Sequence, residues 1–283
     1  MNWGRAKTIL IILFLALDVF LLVILLYSRL LSIYISADTV EKTAEILQEH
    51  QIKIQAENIP EKRMENQSLV MNNFLAEPET AAEKMLGGAF KIRLADEGRH
   101  SYVFENEAAM LSVKDGDFTY KIKQERKRKG KPTETTRESV EKLIINELQD
   151  MGFRKAVLTF VSEENAGGYF IYKAIPLYRD FEIHGITMYI TADSLGILTI
   201  TGNWFEAVAA ESHEETLLDV TAVLTELIYL PEFQGVEIKQ IKNGFLAYDA
   251  YVKSRRIAVI PVYVLVTETE EFYLDAGTGE LIN

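Results

Sequence analysis

Few residues in this chain combine a type and a spacing that could do chemistry. Its four histidines, His50, His100, His184 and His213, stand singly, without the paired-ligand or HExxH spacing that holds a metal ion. Ser212-His213-Glu214-Glu215 contains a hydroxyl, an imidazole and carboxylates, but a catalytic triad is assembled in space rather than along one backbone, and this stretch reads as a helix start. It could take up a weakly held cation, but nothing sets its geometry. Gly277-Thr278-Gly279-Glu280 lacks the spacing of a phosphate cradle and reads as a hairpin turn. The pairs Asp115/Asp117 and Glu270/Glu271 fall in turns, where solvated carboxylates are the rule. Cysteine is absent, which removes thiolate ligands, a Cys nucleophile and a disulfide framework. These residues lead us to expect no catalytic residue, no metal site and no cofactor.

One carboxylate stands apart. Asp18 sits in the middle of Thr8–Tyr27, in which sixteen residues are Leu, Ile, Val or Phe. As a helix those residues cover about 30 Å, the thickness of a hydrocarbon core. Each apolar residue near the centre favours insertion by roughly 0.3–0.6 kcal/mol, on the order of 5–10 kcal/mol in all, against about 3 kcal/mol for a central Asp. A cleaved signal peptide would carry a shorter apolar core and small residues at its end. The run here is longer, and only a poor Ile35-Ser36-Ala37 site follows. The expectation is an uncleaved transmembrane helix over 8–27, with a basic tail, 1–7, in the cytoplasm and the rest outside.

Composition bounds that remainder. The 283-residue chain is 48% apolar and 25% charged, the balance of a globular protein. Setting aside Asp18, Arg5, Lys7 and Arg29, residues 38–283 hold 41 acidic and 27 basic side chains, a net charge of −14. That balance argues against nucleic acid and against broad adhesion to anionic headgroups.

Helix and strand signals alternate along the exterior part. Asp38 with Glu41 suggests a capped helix reaching about Gln55, with Val40, Ala44, Ile46 and Leu47 apolar. NQSLVMNNF reads as a strand, and PETAAEKMLGG as a short helix with Pro78 near its start and Gly87 past its end. Strands follow at AFKIRL, SYVFEN, AMLSV and FTYKIK, the last two joined by a KDGD turn. Seven Lys or Arg between Lys121 and Lys131 then mark a solvated linker, or a contact for an anionic surface. The expected divisions are a membrane-proximal α/β domain over 28–124, a basic linker over 125–134 and a C-terminal domain over 135–283.

That last domain shows an internal repeat. Thr135-x-x-Glu138 predicts a helix with Val140, Leu143, Ile144, Leu148 and Met151 on one face, closed by Gly152. Ser212-x-x-Glu215 predicts another, with Leu217, Val220, Leu224, Leu227 and Ile228, stopped by Pro231. GYFIYKA, Gly168–Ala174, and GFLAYDA, Gly244–Ala250, follow the two helices at matching distances. Two related units, 135–211 and 212–283, each a helix plus an antiparallel sheet, would make an α+β fold.

The N-terminal MNWGRAKTILIILFLALDVFLL, with Trp3, Lys7 and the Leu17-Asp18-x-Phe20-Leu21 core, resembles the start of the YycI family, membrane-anchored regulators of the YycFG (WalRK) two-component system. The ending PVYVLVTETEEFYLDAGTGELIN is similar to the C-terminal hairpin of PepSY-like modules, with Tyr263, Asp275, Gly279 and Glu280 at the matching places. The resemblance implies a single N-terminal transmembrane helix followed by tandem PepSY-like units outside the membrane. It further implies a non-catalytic modulator of a sensor histidine kinase that governs cell-wall metabolism, associated with that kinase and with a YycH-like single-span protein. A homodimer is compatible with the same plan. The alternative is an anchored PepSY-type module that binds or inhibits an extracytoplasmic peptidase.

The carboxylate and the resemblance meet on one helix face. A lone Asp facing lipid is unfavourable, so Asp18 is expected to meet a partner helix, flanked by Phe14, Leu15, Leu21 and Leu22 three and four residues away. No GxxxG is present, which leaves a polar contact plus Leu and Phe packing to carry recognition.

Overall fold

The computed structural model describes residues 3–65, 67–96, 101–123, 136–153, 155–164, 168–212, 216–247 and 255–282. The chain folds into five α-helices and fifteen strands among those residues, a mixed α+β architecture with one large sheet. Cα packing separates two compact units, each discontinuous in sequence. One holds 1–65, 217–242 and 264–283; the other holds 66–216 and 243–263.

The first unit opens with α1, Trp3–Ile33, a helix of 31 residues. Every side chain from Leu10 to Leu25 is exposed, Asp18 among them. Among the described residues no helix is long and apolar enough to cross a membrane. In sequence, the run from Ile9 to Leu26 is apolar except for Asp18. Helix α2, Ala37–Glu49, starts after a short break, and its cap differs from the one expected. Ser36, not Asp38, is the N-cap: its hydroxyl accepts the Thr39 N–H at 3.2 Å. Asp38 instead sits in the first turn, ion-paired with Lys42 at 2.7 Å. The helix also stops short of Gln55, at His50, whose ring bonds the Ile46 carbonyl at 2.9 Å.

α2 buries Val40, Thr43, Ala44 and Leu47 against α5, Val220–Glu226, which buries Val220, Thr221, Val223 and Leu224. The backbone of Lys53 pairs with that of Val236 and Ile238, and Arg63 meets Asp219 at 3.0 Å.

The second unit is built on helix-then-strands segments. α3, Pro78–Leu86, has Pro at its first position and closes on Gly87 in the left-handed conformation, as its sequence predicts. It precedes β2 (Lys91–Asp96), β3 (Ser101–Glu105), β4 (Ala109–Lys114) and β5 (Asp117–Ile122). Asp115 and Gly116, both with positive φ, form the two-residue turn between β4 and β5 that KDGD announces. α4, Arg137–Asp150, then precedes β6 (Ala156–Glu164), β7 (Tyr169–Tyr178), β8 (Phe181–His184), β9 (Met188–Asp193) and β10 (Gly196–Gly202).

The hydroxyl that caps α4 belongs to Thr136, which accepts the Ser139 N–H at 3.3 Å. Thr135 and most of the basic stretch, 124–135, lie outside the described residues.

These strands form one antiparallel run, β7-β9-β10-β5-β4-β3-β2, with β6 alongside β7. Cross-strand register aligns Tyr172, Ile190, Ile200, Tyr120, Leu111 and Phe104 in a single buried row. α4 covers the row over β9 and β10, and α3 covers it over β3 and β4. One residue along, the opposite face carries Lys173, Tyr189, Thr201, Thr119, Ser112 and Val103, all at least partly exposed. The period of two decides which side chain faces which way. At the bottom of the helical layer, Phe153 stacks on Phe118 and meets Trp204 edge-on, with centroids 5.8 and 5.7 Å away.

The helix expected at Ser212 does not start there. Phe205–Ser212 is a strand, β11, paired antiparallel with β1, Gln67–Asn73, so that Ser212 lies opposite Gln67. The helix begins eight residues later, after Asp219. Hydrogen bonds to β1, far upstream, outweigh the weak local preference for a cap.

Candidate functional site

α1 is the element with the least packing and the most apolar surface. Within it, Asp18 has Phe14, Leu15, Leu21 and Leu22 within one turn on either side. Their relative exposures lie between 53 and 63%, so no other described element covers this face. The structure brings the five residues together only through the helix repeat and places no second element against them. As a recognition surface, α1 offers a band of Leu, Ile, Val and Phe with one carboxylate at its middle. In a low-dielectric environment such a carboxylate requires a hydrogen-bond partner.

The C-terminal hairpin takes the form the sequence suggests. β14, Glu271–Asp275, turns through Ala276–Glu280 into β15, Leu281–Ile282. The Asp275 carboxylate accepts the N–H groups of Gly277 and Thr278 at 2.6 and 3.0 Å, and its backbone N–H reaches the Glu280 carbonyl at 2.9 Å. Gly279 adopts φ +80°, and its N–H returns to the Asp275 carbonyl at 2.8 Å. Asp275, Gly279 and Glu280 therefore hold the turn together, and Tyr263 packs in the core from β13, Arg256–Val266.

His50 closes α2 through its ring, and His184 is buried with Nε2 3.6 Å from the Glu182 carboxylate. His100 and His213 lie outside the described residues, as do Glu214 and Glu215. Among the described residues no three His, Cys, Asp or Glu side chains converge as metal ligands. Among the described residues four titrating groups, Glu105, Tyr172, Glu237 and Lys239, depart from their ordinary range, and two of them lie in the large sheet. Lys123 donates to Glu105 at 2.8 Å and holds that carboxyl below its usual pKa. Burial pushes the Tyr172 phenol up, while its hydroxyl donates to the Arg137 carbonyl at 3.3 Å.

Sequence reading missed the cluster around Glu105. Lys91 and Arg93 come to it from β2 and Lys123 from just past the end of β5, and no local motif links positions so far apart.

No family model matches the chain, and no curated protein matches it. Among solved structures, the C-terminal domain of Bacillus megaterium YpeB is similar at a TM-score of 0.41 and 10% identity, covering 72% of this chain and 93% of that one.

Proposed function

We propose that this chain is a single-span, membrane-anchored regulator that acts by contact rather than catalysis. In this reading α1 crosses the bilayer with residues 1–7 in the cytoplasm, and the α+β part stands outside. The observation that carries the proposal is α1 itself: apolar side chains exposed all round from Leu10 to Leu25, interrupted by Asp18 alone. A helix that is apolar on every side needs an apolar solvent, and twenty such residues match a bilayer.

The resemblance of the N-terminal run to the YycI family supplies the partner class, a sensor histidine kinase together with a YycH-like single-span protein. Asp18 would bond a polar group on the partner helix, with Phe14, Leu15, Leu21 and Leu22 packing around the contact. One interhelical hydrogen bond contributes about 0.6–2 kcal/mol. That is enough to bias a kinase between two states and too little to hold a complex alone. The exterior domain would supply the remaining affinity.

Isolation of the full chain from solubilised membranes tests the proposal. It should co-purify a sensor kinase and lose it when Thr8–Tyr27 is replaced by an unrelated span. Recovery of an extracytoplasmic peptidase, indifferent to the identity of the span, would contradict it. An alkaline phosphatase fused after Asn283 should be active if the topology holds.

A further inference from the structure

Away from α1, the negative balance of the chain is locally reversed at one end of the large sheet. The chain carries a net charge of −12, yet at the end of the large sheet three cations surround one carboxylate. Lys123 bonds Glu105 at 2.8 Å and also donates to the Asn106 carbonyl at 2.9 Å. The Arg93 guanidinium approaches the same carboxylate at 3.8 Å, and Lys91 stands opposite Glu105 in the strand register. Glu105 can balance one of the three. Lys91, Glu105 and Lys123 border an open depression of about 710 Å³ that Phe90 and Glu107 also line.

The depression lies beside a strand with an unused edge. Among the described residues β2 pairs with β3 and with no other strand, so it ends the sheet. Phe90 packs edge-on against buried Phe104 at 5.5 Å, and Ile92, paired with Phe104, is half exposed. Lys91 alternates with them and faces the other way. The register shifts between Ile92 and Leu94, which puts a bulge at Arg93. Bulges at edges discourage indiscriminate strand addition, so pairing here has to be selected by side chains.

We propose that the free edge of β2 is a docking site for an extended segment of another protein in which acidic and apolar residues alternate. Main-chain hydrogen bonds to β2 hold the segment, its carboxylates meet Lys91 and Arg93, and its apolar residues cover Phe90 and Ile92. Charge complementarity selects the occupant: a basic strand would meet three cations gathered around one carboxylate, and a wholly acidic one would leave Phe90 and Ile92 uncovered. The site is independent of α1, and its test does not depend on the fate of the anchor.

The full chain in neutral detergent micelles can be titrated into a fluorescein-labelled Glu-Val-Glu-Val-Glu-Val-Glu peptide and, in parallel, its Lys-Val counterpart, with anisotropy as the readout. The acidic probe should bind and the basic one should not. Lys91→Glu with Arg93→Glu should weaken the acidic probe tenfold or more, whereas Lys173→Glu on the exposed face of β7 should leave it unchanged. Methylating alternate backbone nitrogens of the acidic probe should abolish binding in at least one of the two registers. Equal binding of the parent and the doubly reversed protein would overturn the proposal, as would a fully methylated probe that binds like the plain one. So would an edge closed by a second copy, seen as a dimer that the double reversal dissociates and the peptide does not.

Discussion

α1 and α4 are both regular helices rich in Leu and Ile, and they treat those residues in opposite ways. α4 turns Val140, Ile144 and Leu148 inward at 1% exposure or less and leaves charged residues such as Glu138, Lys142 and Asp150 outside. α1 has no such sides: Leu10 to Leu25 are exposed around the whole circumference. An amphipathic stripe identifies water on one side and core on the other, whereas an all-round apolar surface identifies a single apolar surrounding. The comparison teaches that α4 is fixed by the core of its own unit, while no described element covers α1 between Leu10 and Leu25.

That contrast can be broken at α4. Ile144→Ala removes a fully buried side chain beneath the sheet and should cost about 2–5 kcal/mol, measured by thermal or denaturant unfolding of the α+β part. A loss under ~1 kcal/mol would mean that α4 does not cover the core as described.

Close behind comes Gly202→Ala at the end of β10. Its φ of +138° is one that other residues rarely adopt, and an added Cβ would lie 2.3 Å from the Thr187 carbonyl oxygen and 2.8 Å from the Met188 Cα. With backbone on both sides nothing can rotate away, so a loss on the order of 2–4 kcal/mol is expected in the same assay.

A smaller effect depends on pH. Because Lys123 holds the Glu105 carboxyl below its ordinary range, their pairing stabilises the fold above the unfolded carboxylate pKa and is lost as pH falls through the depressed one. The melting difference between the parent and Glu105→Gln should therefore be steady at neutral pH and close in acid. A difference that grew as pH fell would have the wrong sign.

The smallest effect belongs to α1. Leu13→Ala exchanges one exposed apolar residue for a smaller one and should leave unfolding of the α+β part within about 0.5 kcal/mol of the parent. A loss as large as that of Ile144→Ala would place α1 in a core and end the contrast.

How much of this was legible in the sequence follows the range of the interaction. Local signals read true: the Asp115-Gly116 turn, the left-handed Gly87 after α3, and the Asp275–Glu280 hairpin are each set by residues within a few positions. Ser212 misled because Phe205–Ser212, with three alanines and two glutamates, carries helix-compatible residues, and its strand state comes from pairing with β1 far upstream. The α2 cap was displaced by two residues for a simpler reason: Ser36 and Asp38 are both good caps, and only the turn of chain after α1 decides between them. The edge of β2 was invisible in sequence, since Lys91, Glu105 and Lys123 meet only once the four strands β2 to β5 are in register. Asp18 was legible at once, because a charge in an apolar run needs no fold to be noticed.

The central claim is that α1 meets a partner helix through Asp18, and site-specific crosslinking in membranes tests it most directly. With the candidate kinase co-expressed at matched levels, Asp18→Leu should insert as well as the parent, because it removes a cost of about 3 kcal/mol from the span. Its crosslinking to the partner helix should fall by about 3- to 30-fold, the equivalent of one interhelical hydrogen bond of 0.6–2 kcal/mol. Asp18→Asn keeps a donor and an acceptor and should retain most of the signal. If the Leu and Asn variants both crosslink like the parent, Asp18 makes no partner contact and the account fails at its centre.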